Sequence, residues 1–223
     1  VPKILLTKFY KPQILKQKFS KPLEIFSQDF IQTQVIPLEE IQKKLKREQK
    51  FIVTSKIAAK HILPLSLSGT FYCVGKTSAQ LLSNAGHSVV TTQPDAESLS
   101  KWLLKNTTTK STIIYFCSEI RQPTIAEALQ ESHIQLKEII TYYTFSQSIK
   151  LNQDYDAYAF FSPSGVKSFL KENKIPKKSV IFAIGKTTAQ ALEKKGITQV
   201  EIPKEPDADS LFKKIEEYYG NQK

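Results

Sequence analysis

A chain of 223 residues, 40% of them hydrophobic, can bury one large core or two of about 100 residues each. No apolar run approaches the roughly 20 residues that span a bilayer, which argues against a membrane, and Cys73 and Cys117, in FYCV and IIYFC, read as buried free thiols rather than a disulfide scaffold. The formal net charge of +11 calls for an anionic partner; no nucleic acid is expected, because zinc-finger spacing, a recognition-helix motif and an aromatic-basic RNA signature are all missing, and a small polyanion is the simpler partner.

In chain order, Ile4 to Thr7 reads as a short buried strand. The opening VPKILLTK lacks the apolar stretch of a secretory signal, which makes the cytoplasm the expected compartment. Lys8 to Pro22 has room for one short helix at most, and Leu23 to Pro37 alternates apolar and polar residues as an exposed ribbon does. Glu39 to Lys50 (EEIQKKLKREQK) is expected to be a helix with a basic, solvated face. The pattern then predicts strand Phe51–Thr54, a helix capped by Ser55, strand Thr70–Val74, a helix opened by Thr77 and ending near Gly86, strand Val89–Thr91 and a helix capped by Asp95. Strand Thr112–Cys117, a helix around Thr124 to Glu131 and a second ribbon, Glu138–Phe145, follow. The chain closes with strand Ala157–Phe161, a helix from Ser164, strand Val180–Ile184, a helix from Thr187, strand Gln199–Ile202 and a helix from Asp207 to Tyr218.

The last third repeats the stretch from Phe51 to Leu99. VGKTSAQLLSNAG from Val74 returns as IGKTTAQALEKKG from Ile184, and QPDAESL from Gln93 returns as EPDADSL from Glu205. Upstream, FIVTSKIAAKHIL parallels YAFFSPSGVKSFL. Two copies imply two similar lobes holding a ligand, since a stacked solenoid needs three or more. Alternating strands and helices imply an α/β fold in which each lobe is a parallel sheet flanked by helices. The strand at Ile4 has no helix-rich partner nearby and is assigned to the second lobe. The expected division is one lobe from 1–22 plus 148–223, another from 38–137, and a two-stranded β-ribbon hinge from 23–37 and 138–147.

Four strand-to-helix turns carry residues suited to anions: Thr54-Ser55-Lys56, Gly75-Lys76-Thr77-Ser78, Ser162-Pro163-Ser164-Gly165 and Gly185-Lys186-Thr187-Thr188. Helix N-termini offer N–H groups and a positive dipole end, and ligands of open parallel sheets bind outside the carboxyl ends of the strands. One such turn alone is ordinary helix capping; four in two lobes point to an anion. The GKT fragments are not P-loops, because the required earlier glycine is Thr70 in one copy and Val180 in the other. His61, His87 and His133 are scattered, so no metal is expected. Tyr142, in the second ribbon, is the strongest single side-chain candidate, with ribbon packing as its alternative reading.

These motifs together resemble the uroporphyrinogen-III synthase family: FIVTS, the G-x-T-S/T-A-x-x-L-x-x-x-G motif in both copies, FFSPSG followed by IGKTTAQAL, Y-x-T at Tyr142 to Thr144, and PDADSL. The resemblance covers most of the chain from Phe51 onward. It implies an enzyme without a cofactor that acts on hydroxymethylbilane, a linear tetrapyrrole with eight carboxylates; a monomer is expected. The implied product is uroporphyrinogen III, reached by water loss to an azafulvene and a spiro intermediate that inverts ring D. It further implies that Tyr142 assists departure of the hydroxyl and that Thr54, Ser55, Ser162, Ser164, Gly165, Thr187 and Thr188 line carboxylate sites. Where the family's first strand usually ends in Thr-Arg-Pro, this chain has Thr7-Lys8-Phe9, an amine in place of a guanidinium. The alternative is a non-catalytic two-lobed binding protein for an anionic small molecule, which would have no use for Tyr142.

Overall fold

The computed structural model describes residues 1–20, 22–46, 49–107 and 110–220. It divides into two compact units, one made of Val1–Gln32 and Phe145–Lys223, the other of Thr33–Thr144. Each is an α/β unit whose own sheet is parallel, apart from one antiparallel edge strand in the second. Among the described residues no helix is long and apolar enough to cross a membrane.

The discontinuous unit contains β1 (Lys3–Leu6), α1 (Pro12–Lys18), β2 (Glu24–Ser27), β9 (Ala157–Phe160), α7 (Pro163–Glu172), β10 (Val180–Ala183), α8 (Lys186–Glu193) and α9 (Ala208–Gly220). Its strands run in the order β10-β9-β1-β2, all parallel. Alternate residues of each strand go to opposite faces, as a pleat requires. Leu5, Tyr158, Phe160, Ile181 and Ala183 pack with Val166, Phe169, Ala189 and Leu192 of α7 and α8. Ile4, Leu6, Ala157, Ala159 and Phe182 pack with Leu15 of α1 and with Leu211, Phe212 and Ile215 of α9. A buried Phe or Leu contributes roughly 1.5–3 kcal/mol relative to exposure, so both faces hold the sheet.

The Thr33–Thr144 unit contains β3 (Ile31–Val35, entering from the other unit), α2 (Leu38–Lys44), β4 (Lys50–Val53), α3 (Lys56–Ile62), β5 (Thr70–Val74), α4 (Lys76–Asn84), β6 (Ser88–Gln93), α5 (Ala96–Asn106), β7 (Ser111–Ser118), α6 (Thr124–Leu129) and β8 (Ile134–Ser146). The strand order is β3-β8-β7-β4-β5-β6. Phe51, Val53, Phe71, Ile114 and Phe116 face Ile41, Ala58, Ile62 and Leu82 of α2, α3 and α4. Ile52, Tyr72, Ile113 and Tyr115 face Leu99 and Leu103 of α5 and Ile125 and Leu129 of α6.

The chain passes between the units along β3 and β8. Ile36 N donates to Thr141 O and Gln147 N to Phe30 O, both at 2.9 Å. As one index rises the other falls, so these two strands run antiparallel.

Several expectations are corrected. Leu23–Pro37 is not one ribbon: Glu24–Ser27 pairs in parallel with β1, and only β3 remains for the crossing. The reason is that β1 is buried on both faces and needs a neighbour on each edge; Phe26 and Ile25 then supply one residue to each core. The second ribbon begins four residues earlier than Glu138, because Ile134 to Tyr142 first pair in parallel with β7. Gln199–Ile202 is not a strand but a single bridge, Phe182 to Glu201. A parallel ladder would next use the N–H of residue 203, which is a proline and has none. The helices near Ser164, Thr77 and Thr187 begin one residue earlier, at Pro163, Lys76 and Lys186, so Ser162 is the cap. The basic helix stops at Lys44, since Lys50 already belongs to β4; Arg47 and Glu48 lie outside the described residues.

Candidate functional site

Each sheet has one place where chain order reverses direction. In the Thr33–Thr144 unit β4 leads outward to β5 and β6 on one side, while β7 and β8 add on the other. In the discontinuous unit β9 leads to β10, while β1 leads to β2 on its other side. The helices that follow the two central strands lie on opposite faces there, and ligands of open parallel sheets bind outside the carboxyl ends at such a point. Those ends are Thr54 and Ser118 in one unit, Thr7 and Phe161 in the other.

In the Thr33–Thr144 unit a set of hydroxyls converges at that point. Ser55 caps α3, its Oγ accepting from Ile57 N at 3.2 Å and Ala58 N at 3.5 Å. The same Oγ lies 2.9 Å from the Tyr142 hydroxyl. With two N–H groups on its lone pairs, Ser55 is left to donate its own proton to the phenol oxygen, which releases the Tyr142 proton for another acceptor. Tyr142 is only 8% exposed. Burial raises the pKa of its phenol, Ser55 and Ser118 as hydrogen-bond partners pull it back, and the Glu119 charge adds to the rise. Beside this pair, Thr54 Oγ1 and Tyr115 OH are 2.9 Å apart. Burial pushes the Tyr115 phenol up to about 12, so both phenols carry their protons at neutral pH.

A bulge sets this arrangement. The β7–β8 register slips between Cys117 and Ser118, so Ser118 stands opposite Tyr142 rather than Thr141. The Thr141 hydroxyl fills the gap by donating to Cys117 O at 3.1 Å. Bulges of this kind re-aim side chains beside functional sites.

In the discontinuous unit Ser162 caps α7, accepting from Gly165 N at 3.0 Å and sitting 3.1 Å from Ser164 Oγ. Pro163 occupies the first helical turn, where its missing N–H costs nothing. Thr7 is buried and its hydroxyl donates to Ala159 O at 2.9 Å, which ties β1 to β9 rather than presenting a free group. A side chain at Gly165 would meet Ser162 Oγ at 3.2 Å and Thr7 Oγ1 at 3.9 Å, so the glycine lets α7 approach this strand end. Lys8 is exposed, with its Nζ 5.8 Å above the ring of Tyr10.

The two glycine turns differ from the serine turns. Gly75 and Gly185 precede α4 and α8 without a side-chain cap, so the first-turn N–H groups there meet no capping hydroxyl. Lys76, Thr77, Lys186 and Thr187 are exposed beside them. Thr188 is turned into the unit, 1% exposed, on the same buried face as Ala189 and Leu192. The copies are not identical in backbone either. Gly75 has φ +80°, which favours glycine, whereas Gly185 is fully extended.

Tyr115, Ser118 and Glu119 join the site without a motif of their own. The signal that marks them in the sequence is the polar pair Ser118-Glu119 directly after the apolar run IIYFC, echoing Thr54-Ser55 after FIV. Among the described residues no group of His, Cys, Asp and Glu could hold a metal ion. A shallow opening of about 470 Å³ along α5, lined by Gln93, Lys101, Trp102 and Lys105, shares no residue with the turns above.

The family model described as uroporphyrinogen-III synthase HemD matches residues 14–213. A Saccharomyces cerevisiae protein named uroporphyrinogen-III synthase is 26% identical over 179 residues, a match covering 68% of this chain and 65% of the yeast protein. The chain thus spans just under two thirds of that relative. Among solved structures, uroporphyrinogen-III synthetase from Helicobacter pylori superposes with a TM-score of 0.64 at 19% identity, over 96% of this chain and 97% of that one. A mutant uroporphyrinogen III synthase from Thermus thermophilus gives a TM-score of 0.71 at 16% identity, over 99% and 98%. At these identities the two structures speak to the fold.

Proposed function

The chain belongs to the uroporphyrinogen-III synthase family, and on that premise we propose that it closes hydroxymethylbilane to uroporphyrinogen III with inversion of ring D. The observation that carries this reading is the Tyr142 phenol held 2.9 Å from the capping Ser55, at the switch point of its sheet. In that arrangement Tyr142 donates to the departing hydroxyl while Ser55 supports the phenol oxygen. The azafulvene so formed is attacked by the substituted α-carbon of ring D, and the spiro intermediate fragments and recloses.

The harder task is folding the bilane into one conformer, for which well-placed contacts are worth several kcal/mol, roughly 7–11 at best. The uncapped first turns of α4 and α8, with Gly75, Lys76 and Thr77 and with Gly185, Lys186 and Thr187, are suited to substrate carboxylates. Ser164 and Lys8 add a hydroxyl and a cation. Thr54, Ser162, Pro163, Gly165, Thr7 and Thr188 fix the turns that present them. The net charge of +11 favours capture of a polyanion.

We further read the protein as a cytoplasmic monomer without a nucleic-acid partner. The decisive assay supplies hydroxymethylbilane and resolves the product isomers. Isomer III in excess of the spontaneous type I product is expected; type I alone, at the uncatalysed rate, overturns the reading.

A further inference from the structure

Glu119 follows β7 directly, beside the residues just described, and its two carboxylate oxygens have different surroundings. Oε1 accepts the backbone N–H of Thr144 at 2.7 Å. Oε2 is buried and has no hydrogen-bond partner. The nearest cation in sequence does not answer it: Arg121 Nη1 donates to the Glu119 carbonyl, while Nε and Nη2 donate to the side chain of Glu138. A buried carboxylate oxygen without a donor is costly. The Thr144 contact nevertheless holds it at the end of the sheet where its charge reaches Tyr142.

The substrate class argued above, on which this inference rests, offers a matching donor. Besides its carboxylates a bilane carries pyrrole N–H groups, and those need acceptors. The turn residues described above present donors or hydroxyls; Glu119 adds a carboxyl group whose Oε2 accepts from nothing.

We propose that Glu119 Oε2 is the acceptor for the N–H of the pyrrole ring that loses its hydroxyl. As the C–O bond of the hydroxymethyl group breaks, the bonding pair leaves with oxygen, which takes the Tyr142 proton and departs as water. The ring nitrogen gives its proton to Glu119, and the methylene-bearing ring is left as neutral azafulvene. The carboxyl group then returns that proton to the tyrosinate. One N–H proton and one hydroxyl are lost as one water, so the step balances with no outside acid or base. Before the proton moves, the carboxylate also stabilises the positive charge that develops on the ring. The raised affinity of the buried phenol for its proton drives the return.

Glu119→Gln keeps the shape and the acceptor for Thr144 N–H but places an NH₂ group where Oε2 stands. With hydroxymethylbilane in single-turnover closure, a fall of roughly 10²-fold is expected, in the range of lost acid–base catalysis, with affinity for uroporphyrinogen III within about threefold of the parent. A folded Gln variant that closes the bilane within about threefold of the parent rate overturns the proposal. Should the Gln variant lose native melting, Glu119→Ala with added formate decides instead. Restored closure supports the role, and no restoration overturns it. The parent protein is the internal control. If it makes no isomer III the functional reading fails, whereas an active parent beside an equally active Gln variant sinks only the role of Glu119.

Discussion

At the scale of single residues, the proposed reaction rests on the Tyr142 hydroxyl, 2.9 Å from Ser55 Oγ. Tyr142→Phe removes the donor but leaves Ser55 to cap α3, so the fold should lose only about 1 kcal/mol, a typical hydrogen bond. The closure rate should fall more than product affinity does. General acids contribute 10²- to 10⁴-fold, and the easy departure of this hydroxyl argues for the low end or below. The readout is slower formation of isomer III, with spontaneously formed type I taking its place; a Phe variant with full rate and isomer purity would make Tyr142 a packing residue. The two repeat glycines make a second residue-scale contrast. Gly75→Ala should destabilise by roughly 1–2 kcal/mol through its positive φ, although nothing lies within 4 Å of the added carbon. Gly185→Ala has no such backbone strain but meets Pro206 Cβ at 3.0 Å. Its cost should therefore shrink when Pro206 is also changed to Gly, which removes the carbon it meets, a coupling absent between Gly75 and Pro206 in the same thermal-melting cycle.

At the scale of elements, the cap hydroxyls decide how each helix begins. Ser162 and Ser55 occupy equivalent places in the repeat, and each accepts N–H groups of its own helix. Ser162→Ala should cost about 1 kcal/mol, the usual worth of a cap. Ser55→Ala should cost more and also lower the closure rate, because the same oxygen serves α3 and Tyr142. Denaturant midpoints for both variants, beside single-turnover rates, test this; equal costs and an unchanged rate for Ser55→Ala would separate the cap from the chemistry. The strands show how neighbours override local pattern. Glu24–Ser27 alternates like a ribbon, yet it fills the open edge of β1. Val200 and Ile202 look like strand residues, yet Pro203 stops the ladder after one bridge.

At the scale of the molecule, both units bury acids in their neutral forms. Burial pushes Tyr115, Cys73 and Cys117 up to about 12 in the Thr33–Thr144 unit, and Tyr10 and Tyr219 up to about 12 in the other. The unfolded chain gives up these protons near pH 9 for the thiols and pH 10 for the phenols, so above those values it binds fewer protons than the native state. Stability is then fully present below pH 9 and is lost as pH rises toward 12. Melting temperatures should be flat from neutral pH to about 9 and fall steeply above it. A Cys73→Ala, Cys117→Ala variant should begin its fall about one pH unit later, near the tyrosine value. A profile that declines already between about pH 7 and 8 would contradict this account.

What the sequence by itself determined is the local and the repeated. The alternation of strand and helix specified an α/β fold with a parallel sheet in each unit, and that is the fold found. Cap residues such as Ser55 and Asp95 could be read where they stand, because a cap bonds to N–H groups two or three positions away. The family motifs lie in the same short-range signals. Only the tertiary structure decided the rest. Ser55 and Tyr142 are 87 positions apart and meet through the pairing of three strands, β4 with β7 and β7 with β8, while the bulge at Ser118 sets which residue faces which. The same pairing brings Glu119 to the Thr144 N–H. Conversely, Thr188 reads like a binding hydroxyl in its turn, yet the fold turns it inward, as it does Thr7 at the end of β1. Such choices depend on which sheet edges remain open and which faces must be covered, and those are properties of the assembled sheet rather than of any segment along the chain.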